Sequence, residues 1–165
     1  MKSFPHLLLA GFAAVALAAP VAGQRSDDQI SPKSVQLMHQ GQAALASGKL
    51  EDAENALETA LAVDPRNRWA YVDLARVAEK QHLFGKAIRM TNKALLIEPN
   101  DPDAIAVQGE AMVEMGATAR AQENLQKLQQ ICGSKGCAQV SQLSSAISRG
   151  PTVAAAKTPD TPKKD

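Results

Sequence analysis

Apolar positions recur at helical rather than strand spacing through most of the chain. Leu37, Gly41, Ala44 and Leu45 mark one such stretch. Comparing the chain with itself at a spacing of 34 residues brings further positions into register. Ala53, Ala87 and Ala121 align, as do Ala60 and Ala94, followed by Leu128. Gly41, Ala75 and Gly109 form a column of small residues, and Leu37, Tyr71 and Ile105 a column of bulky ones. Ala44 and Ala78 fall in line with Met112, Leu50 with Phe84, and Leu57 and Leu125 flank an odd Thr91. Turn signals interrupt the pattern near Gly48 and Gly116, so each unit holds a pair of helices of about three turns.

Small residues let the paired helices approach closely, while bulky ones fill the gaps between pairs. Pro65 and Pro99 end two of the units, each after an acid, Asp64 and Glu98. The residue before a proline is pushed out of the helical region, which closes the unit. A two-helix unit cannot bury its own apolar face, so consecutive units must stack.

These columns resemble the tetratricopeptide repeat, a 34-residue helix-turn-helix, in three consecutive copies at 34–67, 68–101 and 102–135. The second copy matches best, with Tyr71, Leu74 and Ala75, then Ala87, Ala94 and Pro99. The first has Gln40 where the family prefers leucine; the third has Gln108 there, and Gly133 in place of the closing proline. The implied fold is all-α: a right-handed solenoid of helical hairpins closed by a C-terminal capping helix. Val140, Leu143 and Ile147 share one face of a helix expected at about 138–148, opposite Gln139, Ser141, Gln142, Ser144 and Ser145. Seven helices are expected, within a repeat domain at 34–149. Residues 24–33 read as a short flexible lead-in, and 150–165, with Gly150-Pro151 and an aperiodic run of Thr, Pro and Lys, as a disordered tail.

Composition changes the picture at the N-terminus. Lys2 precedes a thirteen-residue apolar run at 7–19, broken only by Gly11; Pro20 ends it and small residues follow. This is the layout of a secretory signal peptide, with cleavage after Gly23 and Ala18 as a second choice; the run is too short for a stable membrane anchor. The mature chain is expected to be exported, in a bacterial periplasm, with no membrane anchor after cleavage. Removing 1–23 takes away one lysine and no acid from a chain of net charge +1, leaving zero. With five aromatics in 165 residues and no basic excess, a nucleic-acid binder is excluded.

Cys132 and Cys137, separated by Gly-Ser-Lys-Gly, lie between the last repeat and the cap. An even count in an exported chain favours a disulfide that fixes where the capping helix begins. A redox-active pair competes with that reading, although four residues intervene instead of two. A metal site would need two more ligands, and His39 and His82 lie in the first two repeats; haem attachment would need a histidine where Ala138 stands.

Little else carries chemistry. No phosphate loop or nucleophile elbow occurs. The run Glu51-Asp52-Ala53-Glu54 starts a helix, where carboxylates face the positive end of the dipole. The expectation is a protein that is not an enzyme and has no cofactor or metal. The resemblance implies instead a concave groove lined by the first helix of each unit. Carried over, the groove positions are Val35, Met38, Gln42 and Leu45; Trp69, Val72, Arg76 and Lys80; and Asp103, Ala106, Glu110 and Val113. The groove would be apolar at one end, basic in the middle and acidic at the other. Trp69 also suits packing between the first two repeats, and Arg76 suits pairing with Glu110 or Asp73. Gln42 and Arg76 stand where relatives that clamp a terminal carboxylate place asparagines, so that clamp is not expected. The reading is a protein-interaction module that holds a peptide or helix of a partner protein. The alternatives are a thiol-redox protein using Cys132 and Cys137, and a self-associating structural subunit.

Overall fold

In the computed structural model, residues 29–152 are described. They form seven α-helices: α1 (Pro32–Ala46), α2 (Leu50–Val63), α3 (Arg68–Lys80), α4 (Phe84–Ile97), α5 (Pro102–Glu114), α6 (Thr118–Cys132) and α7 (Ala138–Arg149). A single 3₁₀ turn, Gly133–Lys135, joins α6 to α7. Each odd helix pairs with the even one after it, α3 packs beside α1 and α5, and α7 lies against α5 and α6. The expected all-α stack of three hairpins and a cap is therefore the observed one. The expected signal segment, and the tail beyond Thr152, lie outside the described residues. Pro32 and Lys33, read as part of the lead-in, belong to α1, and the Ser31 amide before them is anchored on Asp64 Oδ2 at 2.8 Å.

The small-residue column lets the helices close up. A Cβ on Gly41 would stand 2.5 Å from Leu57 Cγ of α2, and one on Gly109 would stand 2.7 Å from both Leu143 methyl carbons of α7. The cap thus seats its one fully buried leucine over the bare backbone of α5. Val140 and Ile147 pack partly buried beside it, as their spacing requires.

Turns repeat with the sequence. Gly48, His82 and Gly116 occupy equivalent positions with φ of 72°, 58° and 75°, so a histidine holds a left-handed conformation that glycine adopts without strain. Asp64 and Glu98, each before a proline, are extended at φ −147° and −132° and end α2 and α4. Asn67 and Asp101 then cap α3 and α5 by accepting from Ala70 N and Ala104 N at 3.3 and 2.9 Å.

An ion pair joins the first two copies, Glu54 with Lys86, and Arg68 pairs within the second copy with its closing acid, Asp101. The guanidinium of Arg66 beside Asp64, together with the Ser31 amide, holds that carboxyl down at about 2.

Candidate functional site: the concave face

Helices α1, α3, α5 and α7 present one continuous face, and a polar ladder crosses all four. Gln42 Nε2 on α1 donates to Asp73 Oδ2 on α3 at 2.7 Å. Arg76 gives one nitrogen to Asp73 Oδ1 and another to Asp103 Oδ1 on α5, both at 2.9 Å. Gln139 Nε2 on α7 reaches the same Asp103 oxygen at 3.1 Å. His39 Nδ1 lies 3.0 Å from Gln42 Oε1 and extends the ladder outward. Asp73 is buried, so these partners satisfy a carboxylate that would otherwise be costly to fold around.

Beside the α1 end of the ladder lies an apolar hollow of about 430 Å³, walled by Val35, Met38, His39, Gln42 and Trp69. Trp69 is 43% exposed, and the Arg68 guanidinium sits 4.1 Å from its ring centroid. That leaves the indole wetted on one side and able to accept another apolar group.

At the opposite end is a cavity of about 480 Å³, lined by Glu79, Lys80 and His82, by Glu110 and Glu114, and by Arg149 and Thr152 with Phe84 and Ala146. Its acids are ill at ease. Burial, reinforced by the charges of Glu110 and Glu114, pushes the Glu79 carboxyl up to about 8. Its Oε1 is buried with no hydrogen-bond partner. Burial also raises Glu110, against a hydrogen bond from Gln142 and the charges of Arg149 and Arg76. Glu114 accepts both the amide and the hydroxyl of Thr152 at 2.9 Å.

The residues carried over from the repeat pattern divide into groups. Val35, Met38, Gln42 and Trp69 come together in the apolar hollow, and Lys80 and Glu110 in the acidic cavity. Leu45 packs partly buried against the core between the first two hairpins. Val72 and Val113 are 2% and 1% exposed and pack inward, as does Ala106, so their side chains present nothing to a partner. Arg76 is engaged on both sides: its pairing with Asp73 is present, and Asp103 takes the place of Glu110.

Sequence reasoning missed Glu79, although its signal was available. The register that selects Leu45 and Val113 selects Glu79 in the second copy, one residue before Lys80. Gln139 was missed for a different reason: it belongs to no repeated column, so only its side-chain geometry reveals it.

Among the described residues, no His, Cys, Asp or Glu group of three could hold a metal, and no helix is long and apolar enough to cross a membrane. Cys132 and Cys137 meet across the 3₁₀ turn with Cα atoms 5.6 Å apart, a separation that a disulfide spans.

A tetratricopeptide-repeat model matches residues 44–111. The described part of the chain has the fold of a tetratricopeptide-repeat domain. Solved repeat domains share its fold. The Sgt2 domain of Aspergillus fumigatus superposes with a TM-score of 0.67 at 24% identity, over 77% of this chain and 83% of that one. The TPR2B domain of yeast Sti1, in its pHsp70 complex, gives 0.65 at 22% identity over 72% and 98%. The second domain of human RPAP3, in complex with the HSP70 peptide SGPTIEEVD, gives 0.61 at 21% over 69% and 94%. No curated protein matches the chain in sequence.

Proposed function

We propose that this repeat domain is a non-enzymatic interaction module that holds a peptide segment or helix of a partner protein in its concave groove, working after export in the periplasm. The observation that carries the reading is the open apolar hollow at Trp69, seated on a wall stiffened by the Gln42–Asp73–Arg76–Asp103–Gln139 ladder. A preformed wall lowers the ordering cost of binding, and a half-exposed tryptophan is the residue type that most often anchors a partner. The peptide complexes of the yeast and human neighbours support the same kind of partner.

The ligand chemistry differs from that of the human neighbour's peptide, which ends in Glu-Glu-Val-Asp. Arg76 is already held by Asp73 and Asp103, so it is not free to meet a terminal carboxylate. A neutral segment with a bulky apolar side chain suits this groove better. In this reading the Cys132–Cys137 pair is a structural disulfide that ties the start of α7 to the end of α6.

The test is affinity capture from an extract of the source cells, with the native chain beside a Trp69→Ala/Lys80→Glu variant of unchanged helical content. Arg76 is left intact, because replacing it would break the ladder. A partner retained by the native chain and lost by the variant is the expected result. The same partner held equally by both would overturn the groove reading.

A further inference from the structure

A second hollow opens at the edge formed by the turns within the hairpins. It measures about 410 Å³ and lies between the α3–α4 turn, the start of α4 and the α5–α6 turn. Its apolar walls are Leu83, Phe84 and Met115, of which Leu83 is 49% and Met115 58% exposed. His82 meets the Phe84 ring edge-on, at 5.9 Å between centroids, and completes the wall.

Internal repetition separates what these residues do for the fold from what they do beyond it. A residue that every hairpin needs recurs at a spacing of 34, and these do not. Leu83 stands where the other copies have Lys49 and Ala117, and Met115 where they have Ser47 and Gln81. Arg89, at the rim, stands where they have Asn55 and Glu123. His82 replaces Gly48 and Gly116 in a left-handed turn, at φ 58°. Apolar surface left in water and backbone strain both oppose folding, so departures of this kind that converge on one hollow point to a use other than packing.

Charge says what the hollow takes. Where α2 opens with Glu51 and Asp52, the equivalent positions of α4 are Gly85 and Lys86. Among the described residues no acid lines the hollow. Lys86 is engaged by Glu54, whereas Arg89 meets no acid among the described residues. The Arg89 guanidinium lies back over the bare backbone of Gly85, where a Cβ would stand 3.7 Å from its Nη1. An exposed apolar recess thus carries an unpaired cation on its rim.

We propose that this hollow is a second docking site, for a short segment of a partner protein. The segment sets a bulky aliphatic side chain between Leu83, Phe84 and Met115 and an adjacent carboxylate against Arg89. A recess suits an inserted side chain better than a flat lipid surface. The site goes beyond the groove: there the central cation, Arg76, is held by Asp73 and Asp103, while Arg89 is free to take an acid.

The test is a titration of the isotopically labelled full chain, read by amide NMR shifts, with synthetic peptides capped at both ends. The probe is Ala-Asp-Leu-Asp-Ala; one control replaces both aspartates with lysine and another replaces the leucine with alanine. The probe is expected to shift the amides of residues 82–89 and 115–117 at millimolar concentration, and both controls to bind at least about tenfold more weakly. Leu83→Lys/Met115→Ser and Arg89→Asn install the residues that the first copy carries at these positions, so the fold should accept them. Each is expected to weaken the probe at least about tenfold, and Trp69→Ala to leave it unchanged. The proposal is overturned if the probe shifts nothing at 82–89, if the lysine peptide binds as well, or if the shifts centre on residues 35–42 and 69. It is equally overturned if phosphatidylglycerol vesicles, or a higher concentration of the chain itself, perturb those amides where the probe does not, because the edge would then serve a lipid surface or a second copy.

Discussion

The two ends of the concave wall hold the same chemical group in opposite conditions. Asp73 and Asp103 stand near the ladder, and Glu79 and Glu110 stand six and seven residues further along the same two helices. The ladder aspartates are matched: Gln42, Arg76 and Gln139 direct hydrogen bonds to them. The glutamates are mismatched, with one oxygen buried alone and both carboxyls raised mainly by burial. A carboxylate with all its donors in place holds neighbouring repeats together. One left short of donors holds free energy that a ligand can release. The contrast separates the part of the groove that is architecture from the part that awaits a partner.

Removing the ladder's central cation should give the largest effect. Arg76→Leu leaves Asp73 buried and short of a partner, and is expected to cost about 2 kcal/mol, less than for a fully buried pair because the guanidinium is partly exposed. Urea unfolding at pH 7 measures it. Loss of under about 0.5 kcal/mol would place the wall's stiffness elsewhere.

Gly109→Ala attacks the roof of the other end. Its Cβ would meet the Leu143 methyls at 2.7 Å, and Leu143 is fully buried, so α7 must shift. Overpacking costs about 1–3 kcal/mol, partly offset by a helix-propensity gain of up to about 1. The expected net loss is about 1–2 kcal/mol in urea unfolding. Amide exchange should quicken in α7 while the ladder residues of α1 and α3 stay protected.

His82→Gly is the mildest change. Glycine relieves the left-handed strain at φ 58° but removes the edge-on contact of the imidazole with Phe84, at 5.9 Å between centroids. The expected change in urea unfolding is within about 0.5 kcal/mol, against roughly 1–2 for the strain of a non-glycine residue in that conformation. A gain above about 1 kcal/mol would mean that the ring contact contributes nothing.

The architecture was legible because repetition multiplies weak signals. No single alanine column identifies a fold, yet Ala53, Ala87 and Ala121, together with Gly41, Ala75 and Gly109, set both the register and the helix pairing. The groove was less legible. Register says which residues belong to the inner helices, but not how deeply each lies. Val113 shares a column with the partly exposed Leu45 and Glu79, yet neighbouring helices bury it. Arg76 looked like an anchor because a sequence displays charge without showing what neutralises it. Asp103 lies 27 residues away, and only stacking of the second and third hairpins joins the two. Glu79 shows the converse: its column was present, but its discomfort arises from burial and from Glu110 and Glu114 on another helix.

The most direct test of the contrast is stability against pH for the native chain and for Glu79→Gln. In the folded protein Glu79 titrates at about 8, above its ordinary 4.5, so the unfolded chain gives up this proton first. The stabilising difference is complete below about pH 4.5 and drains away as pH rises towards 8, at no more than about 1.4 kcal/mol per unit. Glutamine cannot ionise. The native chain should therefore lose ground steadily to Glu79→Gln between pH 5 and pH 8, and the two curves should run parallel above pH 9. Parallel curves from pH 5 upwards would contradict the account, because they would mean that Glu79 is as well partnered as the aspartates of the ladder.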